Sequence, residues 1–170
     1  MADDVYGVEV VTPEQSLFAG GAHSVVLATS DGNLTVLDGH TPLVGDVVPC
    51  ELKLEQADGP LLRFAVHGGF LQVDTSPGAA GGLAEGDGPL PGLSTRVTVL
   101  AGIAELSDEI DVARAEQARD AATQRVNDLR SGRGPGGGGG EDVEVDVELL
   151  EAQGSLERAE LRLAVAAGEA

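Results

Sequence analysis

Aromatic side chains are almost missing from this chain: they make up 2% of it, with one tyrosine, three phenylalanines and no tryptophan. Any core must therefore be built from valine, leucine and alanine. Lysine is nearly absent too, since Lys53 is the only one and nine arginines supply the other side-chain positive charge. Against 29 acidic residues this leaves a net charge of −19. Such a charge repels nucleic acid and anionic membrane surfaces, whereas docking on basic protein loops stays open to it. The single cysteine, Cys50, excludes an internal disulfide, and it falls in step with Val48, Leu52 and Leu54 as a small core residue. No window approaches the roughly 20 apolar residues needed to cross a bilayer. Met1-Ala2-Asp3-Asp4 lacks the basic end and apolar run of a signal peptide. The expectation is a soluble, cytoplasmic chain that reaches a membrane only through a partner.

What is present is a 42% hydrophobic chain of 170 residues, enough for one domain with a small appendage. Its most informative stretch runs from Thr29 to Val47. Asp31-Gly32 lies between the apolar runs Val25–Leu27 and Leu34–Leu37, a strong hairpin signal. Asp38-Gly39 marks a second turn, and Thr41-Pro42 favours an extended residue before the proline. Val48, Cys50, Leu52 and Leu54 alternate with Pro49, Glu51 and Lys53, and Leu62, Phe64 and Val66 alternate with Arg63 and Ala65. Asp58-Gly59-Pro60 reads as a turn, and Gly68-Gly69 separates off a further strand from Phe70 to Val73. Short strands with glycine-rich turns and no helical pattern between them predict an antiparallel β-sandwich of about ten strands over residues 1–105.

Two segments interrupt the pattern. Residues 75–94 hold six glycines and three prolines between Pro77 and Gly92, and read as a flexible insertion before pairing resumes at Arg96–Leu100. Residues 131–140 hold seven glycines and one proline and read as a linker. Between and beyond them the period changes to that of helices, so residues 106–170 form a second, α-helical domain. Ser107 is the expected N-cap, with Asp108 and Glu109 in the first turn, of a helix from about Glu109 to Arg130. Its Ala115, Ala118, Ala122 and Leu129 share one face. In the last segment Leu149, Ala152, Leu156, Ala159, Leu163 and Ala166 form an a/d seam. The result is an antiparallel two-helix hairpin whose second helix starts between Asp142 and Glu148. Small side chains on both helices bury little apolar area, so its attachment to the sandwich is expected to be weak.

Reactive constellations are scarce. His23, His40 and His67 lack paired-ligand spacing, so turn or strand-end roles outweigh a metal site. Ser24 follows His23 directly and so points to the other face of a strand, which rules out a nucleophile–base pair there. The glycine clusters lack the lysine and the strand–helix setting of a phosphate loop.

The segment Gly32-Asn33-Leu34-Thr35-Val36-Leu37-Asp38-Gly39-His40-Thr41-Pro42-Leu43 resembles the epsilon subunits of F-type ATP synthases. The resemblance extends to Val10–Gly20, His67–Val73, Val97–Leu100 and Ile110–Ala115, in the family's order over nearly the whole chain. It implies a non-catalytic subunit of the central rotor stalk of a proton-translocating ATP synthase, peripheral on the cytoplasmic face of the membrane. One sandwich face would pack on the gamma subunit. Ser30, Asp31, Gly32 and Asn33 in one turn, with Gly39, His40 and Pro42 in the other, would meet the polar loops of the c-ring. The C-terminal helices would regulate hydrolysis, folded on the sandwich or extended toward the alpha and beta subunits. No cofactor is required. Ile110-Asp111-Val112-Ala113-Arg114-Ala115 nevertheless matches the motif with which some members bind ATP, and the resemblance adds Arg158, Arg162 and Glu105 to Asp111 and Arg114 as a candidate regulatory ATP site. Arg158 and Arg162 lie one turn apart on one helix face, suited to phosphate oxygens. The bland reading pairs these arginines with Glu157, Glu160 and other carboxylates, to little energetic effect.

Two departures stand out. Residues 141–151 carry six acidic residues and no basic one where inhibitory members often carry basic residues. Asn33 stands where some relatives have an acid, a contact that Asp31 could take over. Two other readings use the same residues: a β-sandwich interaction module with a dimerising hairpin, and a small cupin-like metalloenzyme. Co-purification with gamma and c subunits separates the first from a stalk subunit, and metal analysis tests the second.

Overall fold

A computed structural model of the chain describes residues 5–75, 95–131 and 142–168, the first five of the last segment by backbone alone. Apart from Thr75 and Ser131, the insertion expected at 75–94 and the linker expected at 131–140 lie outside the described residues. The chain divides into two compact units, Met1–Ser107 and Asp108–Ala170.

The first unit holds seven strands: β1 (Tyr6–Val11), β2 (Ser16–Thr29), β3 (Gly32–Val36), β4 (Leu43–Gln56), β5 (Leu61–Asp74), β6 (Arg96–Ala101) and β7 (Ala104–Leu106). Hydrogen bonding runs β1-β6-β5-β4-β2-β3, with β7 on β5, and β1 also pairs with β2, so the sheet closes on itself. Seven strands replace the expected ten or so because β2, β4 and β5 have 14 residues each, and β2 and β5 change partners along their length. β2, for example, pairs with β1 through Ser16–Ala22 and with β3 through Val25–Thr29. All pairings are antiparallel but one. β1 lies parallel to β6 in the register Gly7↔Arg96 to Val11↔Leu100. These two strands are far apart in sequence, so no helical crossover is needed to join them.

Alternation then sets the core. Val8, Val10, Val25, Leu52, Leu54, Phe64, Val66, Leu71, Val97 and Val99 point inward and are fully buried. Burial reaches the other face locally as well. Glu51 has a side chain only 4% exposed, and it is held by Lys53 Nζ at 2.9 Å and Arg63 Nε at 2.7 Å. Charges this enclosed are tolerated because each is paired.

Gly68-Gly69 does not end a strand, as the sequence suggests, but lets one bend. β5 runs through it unbroken, pairing with β7 over Phe64–Val66 and with β6 over Gly69–Asp74. Gly68 and Gly69 take φ of +102° and +151°, and a Cβ on Gly69 would collide with the Leu100 carbonyl oxygen and come within 2.9 Å of Ala101 Cα. Only glycine meets both demands.

In the second unit a 3-10 turn at Ser107–Glu109 leads to α1 (Val112–Arg130), and α2 runs from Asp142 to Ala167. The hairpin is antiparallel: Val126 and Leu129 near the end of α1 pack with Leu149 and Ala152 near the start of α2. Arg125 pairs there with Glu148 at 2.7 Å. The α1 face differs from expectation in one residue, since Ala118 is exposed and Val126 is buried beside Ala115, Ala122 and Leu129. The helix starts at the early end of the expected range, at Asp142, so that Val143, Val145 and Val147 belong to it, as does Gly154.

Replacing Gly69 with alanine is expected to destabilise the β unit by about 2–4 kcal/mol, through backbone strain plus the clash. Urea unfolding followed by the strand signal of circular dichroism checks this; an unchanged midpoint contradicts it.

Candidate functional site

Two turns and an apolar row stand out on the β unit: β3 carries one turn at each of its ends, and the row crosses β4, β5 and β6. β2 and β3 are joined by Ser30 and Asp31, with Thr29 paired to Gly32 across the turn. Thr29 Oγ1 accepts from the Asp31 amide at 3.3 Å and donates to the Gly32 carbonyl at 3.0 Å. The turn thus sits one residue earlier than the Asp31-Gly32 pair suggests, and Gly32 closes it at φ +124°. The Ser30 amide donates to the Asp46 carbonyl at 3.2 Å, which fastens this turn to β4. In the second turn the His40 amide donates to the Leu37 carbonyl at 3.1 Å. Gly39 stands at its third position with the positive φ, +75°, which that position favours. Ser30, Asp31, Gly32, Asn33, Gly39 and Pro42 are exposed, and His40 is half-buried with Nδ1 2.8 Å from the Thr41 carbonyl.

Near the first turn, through the pairing of Asp46 with Phe70, the sheet shows apolar side chains to solvent. Phe70 faces Leu100 across β5 and β6, and Leu100 faces Val11 across β6 and β1. Val44 joins them diagonally, since it precedes Asp46, the β4 partner of Phe70, by two residues. Val44 is 74% exposed, Phe70 56% and Leu100 49%. In a chain with so few aromatic residues, a phenylalanine left in water in a row with Leu100 and Val44 makes this patch a candidate contact surface. The sequence reading did not single out this row. Its signal was the phase of Phe70 with Gln72, both opposite to the inward Leu71 and Val73.

The second turn is tied down from below. The Tyr6 hydroxyl donates to the Val36 carbonyl at 2.5 Å, and the Gly39 amide donates to Thr95 Oγ1 at 2.8 Å. Tyr6 is fully buried, and burial pushes its hydroxyl pKa well above the ordinary tyrosine range. Thr95 is buried, at 1% exposed. Its carbonyl accepts from the Gly7 amide at 3.2 Å, which links the anchor to β1.

The charged residues expected on the helices fall differently. Asp111, not Ser107, caps α1: its Oδ1 accepts from the Arg114 amide at 3.0 Å. Ser107 cannot cap the helix because it is taken up in the 3-10 turn that precedes it. Asp111 and Arg114 are thus brought together by the cap, and both are exposed. Arg158 is exposed and donates to Ser155 Oγ at 3.0 Å, while Arg162 is half-buried one turn further along α2. Glu105 lies in β7, in the other unit, paired with Ala65. Within the hairpin a groove is lined by Val112, Glu116, Arg119, Glu160, Leu163 and Ala166, among others, and not by any of the expected ATP residues. Among the described residues no three His, Cys, Asp or Glu side chains converge as metal ligands.

Two family descriptions match this chain in order. The beta-sandwich domain of the ATP synthase delta/epsilon chain matches residues 6–77, and its long alpha-helix domain matches residues 108–167. The chain belongs to the ATP synthase epsilon family. The chain named ATP synthase epsilon chain in Desulforudis audaxviator is 36% identical over 126 residues, covering 74% of this chain and 77% of that one. The protein of the same name in Streptomyces griseus is 35% identical over 130 residues, covering 72% and 90%. That of Bordetella petrii is 34% identical over 146 residues, covering 86% of each. A chain in the cryo-EM structure of the Euglena gracilis mitochondrial ATP synthase, OSCP/F1/c-ring in rotational state 1, shares the fold. Its TM-score is 0.64 at 16% identity, over 93% of this chain and 79% of that one. Epsilon-family chains are non-catalytic subunits of the rotary complex.

In this epsilon-family chain the Asp111-x-x-Arg114 spacing has a local cause that needs no ligand, since a capping carboxylate reaches the amide three residues on. Asp111→Ala is expected to cost about 1 kcal/mol of helix stability. Thermal unfolding followed at a helix wavelength checks this; an unshifted transition contradicts the cap.

Proposed function

We propose that this epsilon subunit works as a mechanical coupler on the cytoplasmic face of the membrane. Its outward Val44–Phe70–Leu100 row would seat on the gamma subunit, and its two turns would meet the polar loops of the c-ring. The observation that supports this reading most is the exposed apolar row on a closed sheet, next to a turn that the Ser30–Asp46 bond fastens to β4, the strand paired with Phe70. A closed sheet resists shear, because sliding β1, β2, β4, β5 or β6 breaks hydrogen bonds on both edges of that strand. Apolar area gives such a contact its affinity, and the polar turns beside it fix orientation. Among the described residues no helix is long and apolar enough to cross a membrane, so membrane attachment in this reading comes through the complex.

Regulation by the hairpin is part of the same proposal. A seam of alanine and leucine holds its helices together with little buried area, so rearrangement costs little. The feature that favours a nucleotide there is the pair Arg158 and Arg162, one turn apart on α2, whose guanidinium groups suit phosphate oxygens. Bound ATP would favour one hairpin arrangement only through its differential affinity for it.

Phe70→Asp and Leu100→Asp are expected to abolish co-purification with gamma while leaving the circular dichroism spectrum unchanged. Retained co-purification would remove the apolar row from the interface. Calorimetric titration with ATP is expected to show binding to the full chain that Arg158→Ala weakens; no heat from the wild type removes the nucleotide role.

A further inference from the structure

The turn at Leu37–His40 is held by two side chains that neither the turn's own sequence nor its neighbours supply. Tyr6 comes from β1, and Thr95 stands immediately before β6. They are neighbours through the parallel pairing that begins at Gly7↔Arg96, and the Gly7 amide bonds to the Thr95 carbonyl. Each spends its hydroxyl on the backbone of the loop region, Tyr6 on the Val36 carbonyl and Thr95 on the Gly39 amide. Both are buried, so water does not compete for these bonds. Of the two bonded groups, the Gly39 amide lies in the middle of the turn, on a residue that is itself exposed. Glycine at φ +75° has wide conformational freedom, and one bond to a buried hydroxyl removes much of it.

We propose that Tyr6 and Thr95 are positioning residues that clamp the Leu37–Pro42 loop in a single conformation. The loop thereby transmits force to the rotor ring instead of flexing under it. This rests on the stalk reading above, and it adds the source of the loop's stiffness. The clamp acts through the loop and touches no partner itself. Its two hydroxyls do the work, not the volume of the side chains.

The test uses the full chain and the assembled ATP synthase. Thr95→Val and Tyr6→Phe each delete one hydroxyl and keep the packing, and Thr95→Ser restores the hydroxyl. Hydrogen exchange at the Gly39 amide is expected to quicken by about tenfold or more in Thr95→Val, the equivalent of one net hydrogen bond. Amides of Val97 and Val99 in β6 should exchange as in the wild type. In assembled complexes both deletion variants should co-purify and hydrolyse ATP but pump fewer protons per ATP, with Thr95→Ser returning both readouts to wild-type values. Unchanged Gly39 exchange, or unchanged pumping in variants that do co-purify, overturns the clamp and leaves the stalk reading standing. A wild-type chain that fails to assemble with gamma and c subunits overturns the stalk reading itself, and the coupling role with it.

Discussion

The six residues of β1 hydrogen-bond along both edges, antiparallel to β2 on one side and parallel to β6 on the other, and through them the sheet becomes a ring. Most other features of the β unit depend on that closure. It places Tyr6, Val8 and Val10 in the middle of the core with no solvent contact. It leaves open edges only on the short strands β3 and β7, which limits the association with copies of itself to which an open, valine-rich sheet is prone. It also brings Thr95 beside Gly7, and so beneath the second turn. A core made of valine and leucine with almost no aromatic bulk needs such closure, because small side chains fill a narrow ring more completely than an open sandwich.

The hairpin is built on the opposite principle. Its seam is mostly alanine, its interhelical ion pair Arg125–Glu148 is partly exposed, and its first helix begins at an exposed cap. Exposed pairs and caps contribute on the order of 1 kcal/mol or less each. One chain therefore joins a unit that is costly to deform to one that is cheap to rearrange. That pairing of properties suits a part that must carry load and also change state.

Much of this could be read from the order of residues. Alternation placed Leu52, Leu54, Phe64 and Val66 in the core, and the a/d seam placed Ala152 and Ala159. The turn at Asp38-Gly39 followed from glycine chemistry. Where the reading departed from the structure, tertiary geometry decided between local options. Gly68-Gly69 could end a strand or bend one, and only the position of Leu100 and Ala101 makes it a bend. Ser107 and Asp111 are both good caps, and the choice depended on the 3-10 turn that takes up the serine. Thr95 gave no local signal, because a buried hydroxyl is recognised by its distant partner, Gly39, and not by its neighbours in sequence. The exposed row was legible in part, for its alternation is intact and only the absence of a covering layer is new.

The ion pair on the outer face of the sheet has a practical consequence. The chain's sole lysine ammonium is bound to a buried carboxylate, Glu51, which sits between it and Arg63. Reagents that couple through primary amines therefore find one side chain to attack, and that one is already engaged. The neighbours of this subunit in an assembly are better traced by chemistry directed at carboxylates, which the chain carries in abundance.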